Sequence, residues 1–371
     1  MKTRCRRLEL AGICFAFGIA ILVSPKAVAG SNPAARGGDG PTAADSRITI
    51  DVVVEDKLGH PVGGLQAEDF KVLDNTQPGK ILEFHALDGK GGKPDPVHVL
   101  IIVDMINTGF QTVAVEREQL GEFLNQDGGR LAHPTSLGIL ADGGIKIMPG
   151  SAMDGKLLLA NFEKVQTSLR SVGRGAGFYG AAERLEMSLT QISQLATYEG
   201  KQPGRKLTLV ISPGWPMLAR AGEEADMKQR NWTFDSIVDL SNELREAHMA
   251  LYSLDPYTLG RSDPYYYQTY LKPVTAARKA EYGNLSLQVL AEHSGGRALT
   301  QGRDILGDIN TAFRDAGPYY ELTLEEPTAD HPNEYHELRV STDKPDTKVL
   351  TSAGYYAHSQ QVTPASGKIS K

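Results

Sequence analysis

The sequence predicts an α/β fold with a mostly parallel sheet, together with a second, small β-rich domain that both flanks of the chain build jointly. Strand and helix patterns alternate between residues 96 and 317, which is typical of a sheet covered by helices. Short β-branched segments separated by turn residues precede and follow this region, at 47–95 and 318–358. Neither flank has enough strands for a core of its own, so we expect them to pack together.

The first 29 residues have the pattern of a secretory signal peptide. Basic residues at positions 2, 4, 6 and 7 precede an apolar run at 10–23, and Ala27-Val28-Ala29 follows. The run is about 14 residues long, whereas a membrane-spanning helix needs roughly 20. A retained anchor is therefore disfavoured, and so is lipid attachment at Cys14, which follows Ile13 rather than a small residue. We predict cleavage after Ala29 and export to the periplasm or the extracellular space, with no stable membrane span afterwards.

Composition excludes several classes of function. The chain of 371 residues is 40% hydrophobic and 23% charged, which is ordinary for a globular protein. Both cysteines, Cys5 and Cys14, lie in the predicted signal peptide, so thiol catalysis and Cys-ligated zinc are excluded from the mature protein. The signal peptide also contains five basic residues and one acidic residue, so its removal changes the formal charge from −6 to −10. An acidic exported protein is a poor nucleic-acid binder.

The elements follow from composition and periodicity. Residues 30–46 are rich in Gly, Pro, Ala and Asp and predict a flexible linker, and 359–371 predict a disordered tail. The β-branched runs predict short strands at 48–54, 70–73, 81–84, 319–325, 335–341 and 348–356. The α/β region predicts buried strands at 97–104, 207–211 and 251–254, a hairpin at 137–148, and helices at 113–124, 156–165, 179–198, 234–248, 285–293 and 305–313.

Polar residues follow the central strand of the α/β region. Asp104, Asn107 and Thr108 come directly after the apolar run at 97–103. The carboxyl ends of parallel strands are where open α/β sheets bind ligands, so these residues are candidate ligand contacts. The alternative is a structural one, in which the Asp, Asn and Thr side chains cap the turn between the strand and the helix.

This segment resembles the metal motif of von Willebrand factor A domains, in which Asp-x-Ser-x-Ser follows such a strand. Asp104 and Thr108 match its first and last positions, while the segments at 173–181 and 206–214 are similar to the second and third metal loops of the family. Over roughly residues 48–358 the chain is similar to the VWFA-related domain family known mainly from acidobacterial proteins. The resemblance implies a Rossmann-like von Willebrand factor A domain with a divalent cation at this edge.

Three departures from that motif predict a degenerate metal ion-dependent adhesion site. Ile106, Ala176 and Pro213 stand where the family places side chains with oxygen ligands. A hard cation needs several oxygens in near-octahedral order, so we expect no metal and no other cofactor, and any residual metal would contact Asp104 and Thr108. Ile106 also argues against a phosphatase of the Asp-x-Asp-x-Thr type, because the acid/base carboxylate is missing.

Two insertions follow strands on the same edge, at 215–232 and 256–273. The second contains the aromatic and basic candidates for partner contact, namely Tyr257, Arg261, Tyr265, Tyr266 and Tyr267. The alternative is that the tyrosines pack onto the domain as a lid. Ser212 is a further candidate ligand contact, but it lacks the Gly-x-Ser-x-Gly context of a nucleophile, and His248 and His293 lie in predicted helices without a second metal ligand at helical spacing.

These observations predict an exported, non-enzymatic protein-binding protein without catalytic residues. Its binding face would consist of the loops at 105–112, 173–178, 213–231 and 255–274, and its partner would be a protein of unknown identity. The alternative is a structural or assembly subunit of an envelope complex, acting through exposed strand edges of the β-rich domain.

Overall fold

The computed structural model describes residues 47–87, 97–108, 110–148, 152–166, 177–216, 218, 225–255, 265–299, 304–327 and 329–357. The predicted signal peptide, linker and tail, at 1–29, 30–46 and 359–371, lie outside these residues. Within the described part, no helix combines the length and the apolar composition needed to cross a membrane.

In the α/β region, the described strands and helices alternate as the sequence predicts. The strands are β1 (Arg47–Glu55), β2 (Phe70–Asp74), β3 (Gln77–Pro78), β4 (Ile81–Leu87), β5 (His98–Asp104), β6 (Arg130–Ala141), β7 (Gly144–Ile147), β8 (Ala152–Asp154), β9 (Lys206–Ile211), β10 (Met249–Leu254), β11 (Arg297–Leu299), β12 (Tyr319–Glu325), β13 (Tyr335–Thr342), β14 (Lys348–Leu350) and β15 (Gly354–Tyr356). The helices are α1 (Phe110–Asn125), α2 (Gly155–Gln166), α3 (Gly177–Glu199), α4 (Met227–Glu246), α5 (Leu287–His293) and α6 (Ile305–Asp315).

The central sheet has seven strands in the order β11-β10-β9-β5-β6-β7, with β8 also pairing to β6. Strands β5, β6, β9, β10 and β11 are parallel, whereas β7 and β8 run antiparallel to β6. Strands β9 and β10 are buried along their whole length, which explains their almost continuous apolar sequences. Numbered along the chain without β8, this order is 3-2-1-4-5-6, which is compatible with a Rossmann-like fold.

Helices cover both faces of the central sheet. On one face, Leu120 and Phe123 of α1 and Phe313 of α6 pack against the odd-numbered residues of β5 in one hydrophobic cluster. On the other face, Ile192 of α3 and Leu244 of α4 pack against Leu100 and Ile102 in a second cluster. The sequence-based prediction of a parallel-stranded sheet flanked by helices is confirmed.

Two four-stranded antiparallel sheets come from the flanks of the chain. Their orders are β14-β1-β12-β4 and β15-β13-β2-β3, so each contains strands from before and after the α/β region. Ile50 of β1, Phe70 of β2, Tyr320 of β12 and Leu338 of β13 belong to one buried cluster between them. These antiparallel sheets make the predicted second β domain plausible. By their contacts, the described residues belong to one compact unit.

Candidate functional site

The Asp104 side chain lies at the carboxyl edge of the central sheet, by which we mean the edge where β5, β9 and β10 end. Its Oδ1 accepts the backbone N–H groups of Ile106 at 2.9 Å and Asn107 at 3.0 Å. Its Oδ2 accepts the side-chain amide of Asn107 at 2.8 Å and the hydroxyl of Ser212 at 2.7 Å. The edge therefore brings three of the predicted site residues, Asp104, Asn107 and Ser212, into one hydrogen-bonded group.

The environment of Asp104 has two opposing effects on its ionisation. The side chain is fully buried, and this desolvation raises the pKa of the carboxyl above its ordinary value, while the hydrogen bonds from Asn107, Ser212 and Ile106 act in the opposite direction. A carboxylate offers about four acceptor positions, and four donors already occupy them. The geometry is that of a side chain that caps the turn after a strand, which is the structural alternative considered above.

The donor set at this position does not fit the divalent cation that the family resemblance implies. Both oxygens of Asp104 are already hydrogen-bonded, and Ile106 is a buried apolar side chain where the motif needs an oxygen. Pro213 follows Ser212 where the third loop would supply a carboxylate. Thr108 does offer a buried Oγ1 with no hydrogen-bond partner among the described residues. One hydroxyl does not supply the near-octahedral oxygen shell that Mg²⁺ requires.

Glu116 on α1 is a buried acid that the sequence analysis missed. Its side chain is fully buried, and in the described part of the chain neither carboxyl oxygen has a hydrogen-bond partner. Burial, together with the charges of Asp104 and Asp255, raises its pKa to about 8. Burial and the charges of Asp304 and Asp255 also raise the pKa of Asp308 on α6, to about 6. The carboxyl edge is thus acidic, with acids that the protein environment keeps partly neutral.

The three described tyrosines of the second insertion have different surroundings. Tyr265 is 42% exposed, whereas Tyr267 is only 5% exposed. Tyr266 donates its hydroxyl hydrogen bond to Gln288 at 3.1 Å, and its ring stacks edge-on against Tyr267. Tyr267 and Tyr266 therefore support the fold as the lid alternative expects, and Tyr265 presents its ring at the surface. Tyr257 and Arg261 lie outside the described residues, as does Ala176.

Exposed apolar side chains surround the same edge. Helices α1, α3 and α4 run opposite to the parallel strands, so their N-terminal halves lie at the carboxyl edge. The N-terminal halves of these helices, together with the described end of the second insertion, contain large apolar side chains that are each more than a third exposed. They are Val115, Tyr179, Met227, Trp232 and Tyr265. Aromatic residues and Met are enriched in contact surfaces between proteins, so these side chains are candidates for partner contact.

His248 lies outside helix α4, whereas the sequence analysis placed it in a helix. Helix α4 ends at Glu246, and His248 adopts a left-handed φ of 52° just before β10. Its Nδ1 lies 3.0 Å from Asp51 of β1 and 3.9 Å from Glu321 of β12. The three side chains could hold a metal ion by their spacing. Asp51 and Glu321 are remote in sequence, so helical spacing could not reveal them.

Comparison with known proteins adds little to this geometry. No family model matches the sequence, and no curated protein matches it. Among solved structures, the chain is similar to the crystal structure of the human COPII-coat protein Sec24c, with 8% sequence identity and a TM-score of 0.32. The similarity covers 71% of this chain and 44% of that chain, so it involves less than half of the larger protein.

Proposed function

We propose that this chain is an exported protein with a von Willebrand factor A-like domain, which binds a partner protein at its carboxyl edge and performs no chemistry there. The observation that carries the proposal is the set of exposed apolar side chains around that edge, with Tyr179 being 82% exposed. Exposed aromatic side chains and Met are enriched where proteins contact one another, so their presence beside this edge supports a binding role.

Both carboxyl oxygens of Asp104 already accept hydrogen bonds within the protein, which supports partner binding that uses neither a metal nor a catalytic step. A general acid or base needs a lone pair or a proton that can reach a substrate, and the oxygens of Asp104 face Ile106, Asn107 and Ser212 instead. A phosphatase would need a second acid at position 106, where the isoleucine is buried. The edge would act through its exposed side chains rather than through a reacting group.

A first test uses a double serine variant at the carboxyl edge. Tyr265→Ser and Tyr179→Ser together should weaken capture of the native partner from an envelope extract by about thirtyfold, because hot-spot truncations cost about 2 kcal/mol or more. The matched control is Tyr198→Ser, since Tyr198 is 57% exposed but lies at the opposite end of α3. If the double variant captures the partner as well as the wild-type protein does and unfolds at the same temperature, the binding surface lies elsewhere.

A second test concerns divalent cations. Millimolar Mg²⁺, Mn²⁺ or Ca²⁺ should leave the melting temperature of the protein within about 1 °C, because ligands stabilise a fold only as far as their concentration exceeds Kd. Thermal unfolding with and without a chelator measures this effect. A rise of several degrees that Asp104→Ala abolishes would contradict the proposal that the edge works without metal.

The second candidate function is a structural or assembly subunit that acts through the flank-derived sheets. Their outer strands β14, β4, β15 and β3 each pair on one side only within the described sheets. Such edges can accept a strand from another chain. Loss of partner capture on alteration of these strands, with capture unaffected by Tyr265→Ser, would favour this function.

A further inference from the structure

A cleft lies at the opposite edge of the central sheet from Asp104, between the β6–β7 hairpin and the C-terminal half of α3. Its volume is about 870 Å³, which is within the size range of small-molecule sites. Ile145 and Ile147 of β7 and Leu195 of α3 contribute apolar surface. We refer to it as the α3 cleft.

A serine, a histidine and a glutamate meet on the wall of the α3 cleft. Ser136 Oγ lies 2.9 Å from His98 Nε2, and His98 Nδ1 lies 3.6 Å from Glu199 Oε2. All three residues line the cleft. They are Ser, His and Glu in the order of a nucleophile, a general base and the acid that orients the base.

The fold explains why these three side chains meet. Strands β5 and β6 pair in parallel with Leu100 opposite Ser136. Because side chains alternate along a strand, His98, Leu100 and Ser136 point to the face that α3 covers. Glu199 is the last residue of α3, which brings its carboxylate to the same end of the sheet. The arrangement joins residues that no local motif connects, which explains why the sequence analysis found no catalytic group.

Glu199 determines which nitrogen of His98 can act as a base. Its carboxylate, with a side chain only 4% exposed, faces Nδ1 and favours the tautomer that carries the proton there. Nε2 is then the acceptor for the hydroxyl proton of Ser136. The distance of 3.6 Å between Nδ1 and Oε2 is longer than a hydrogen bond, as is common in catalytic sites without substrate.

The cleft also offers donors for a developing negative charge. Gln191, Gln194 and Gln202 line it with side-chain carboxamides. Gln191 Oε1 accepts the backbone N–H of Ile145 at 2.9 Å, which fixes the orientation of this amide. Carboxamide N–H groups stabilise the oxyanion of acyl transfer in known enzymes. The apolar surface beside them suits an acyl chain.

We propose that the α3 cleft is a hydrolase site for small esters with an apolar acyl group, in addition to the binding function of the carboxyl edge. Ser136 Oγ forms a bond to the acyl carbon while its proton passes to His98 Nε2. The carbon–oxygen bond of the ester then breaks, and the leaving alkoxide takes that proton. Water attacks the acyl-serine, gives its proton to His98, and releases the acid while Ser136 regains its hydrogen. Glu199 is a positioning residue.

The first experiment labels the mature full-length protein with a fluorophosphonate probe and locates the adduct by peptide mass. We expect one adduct on Ser136, none in Ser136→Ala, and normal labelling in Ser253→Ala. Ser253 is the matched control because it is a fully buried strand serine of the same sheet, outside the cleft. His98→Gln should slow labelling at least about a hundredfold. No adduct on the wild-type protein, or an adduct elsewhere that Ser136→Ala does not abolish, would overturn the proposal.

The second experiment measures kcat and KM for the hydrolysis of p-nitrophenyl butyrate. Glu199→Gln should lower kcat at least about tenfold with little change in KM, because the variant keeps the cleft but no longer holds the Nδ1 proton of His98 in place. A purely structural Glu199 would instead lower the melting temperature and leave kcat of the folded protein unchanged. Wild-type hydrolysis that equals the rate with Ser136→Ala would refute the activity. Because Tyr265 and Tyr179 lie at the other edge, partner capture fails or succeeds independently of this result.

Discussion

At the scale of single residues, Glu116 makes the free energy of unfolding depend on pH. Its side chain is fully buried without a hydrogen-bond partner among the described residues, and its pKa is raised from 4.5 to about 8 by burial and by Asp104 and Asp255. The unfolded chain releases this proton near the ordinary pKa, whereas the folded protein keeps it. The folded state is therefore destabilised progressively as pH rises from about 4.5 to about 8, with a limiting slope of about 1.4 kcal/mol per pH unit.

Glu116→Gln should remove that dependence. The melting temperature of the variant relative to the wild-type protein should increase between pH 5 and about 8 and then level off, since the neutral amide does not titrate. Thermal unfolding at a series of pH values measures this difference. Glu118→Gln is the matched control, because Glu118 is exposed on the same helix and should give a flat difference. A flat profile for Glu116→Gln as well would show that the acid is solvated or paired.

The positions of single residues could be predicted where chemistry and strand position coincide. Asp104, Asn107 and Ser212 follow buried strands, so the sequence could place them together at one edge. Glu116 could not be found in this way, because it precedes Arg117 and Glu118 and resembles the solvent-facing part of an amphipathic helix. The difference in exposure between Tyr265 and Tyr267 could not be predicted either, because neighbouring tyrosines in a loop show no periodicity that separates buried from exposed positions.

At the scale of elements, Arg297 of β11 joins three parts of the molecule. It bonds to Glu55 of β1 through Nη2 and to Asp315 of α6 at 2.6 Å through Nε. Asp315 also accepts the hydroxyl of Tyr252 on β10 at 2.9 Å. Burial alone would lower the pKa of Arg297, but Asp315 and Glu55 raise it above its usual range. The network connects the flank-derived sheet of β1 to the α/β region.

Arg297→Ala should destabilise the protein by about 3 kcal/mol or more, because it leaves Glu55 and Asp315 buried without their cation. Chemical denaturation of the mature protein provides the measurement. Arg339→Ala is the control, since Arg339 pairs with Glu337 at the surface, where side chains are 65% and 42% exposed; such pairs contribute about 0–1 kcal/mol. Equal effects of the two substitutions would contradict the structural role of the Arg297 network.

Element boundaries follow local signals where these exist. The predicted helix at 285–293 begins instead at Leu287, because Ser286 Oγ accepts the backbone N–H of Val289 as an N-cap. The hairpin between β6 and β7 was predictable from Asp142-Gly143-Gly144. The pairing of β1 with β12 has no local signal, and only the shortage of strands in each flank suggested it.

At the scale of the whole molecule, the first 29 residues predict export. Protein isolated from its native host should begin at Gly30, since Ala27-Val28-Ala29 has the small-residue pattern of a cleavage site. Mass spectrometry of the N-terminal peptide measures this. Replacing Ala27 and Ala29 by Leu should preserve the uncleaved precursor. An intact Met1 on the wild-type protein would contradict the prediction.

The interleaved flanks have a consequence for the order in which the protein can fold. Thr49 of β1 and Thr323 of β12 face each other across a strand pair although they lie 274 residues apart along the chain. Strand β1 is the first described strand to be synthesised, whereas its neighbours β12 and β14 are made only when nearly the whole polypeptide is complete. Contacts of such long range form slowly, so we expect the pairing of β1 to be among the last steps of folding. Under the proposed export, a chain of this design would still lack that pairing when it enters a translocation channel.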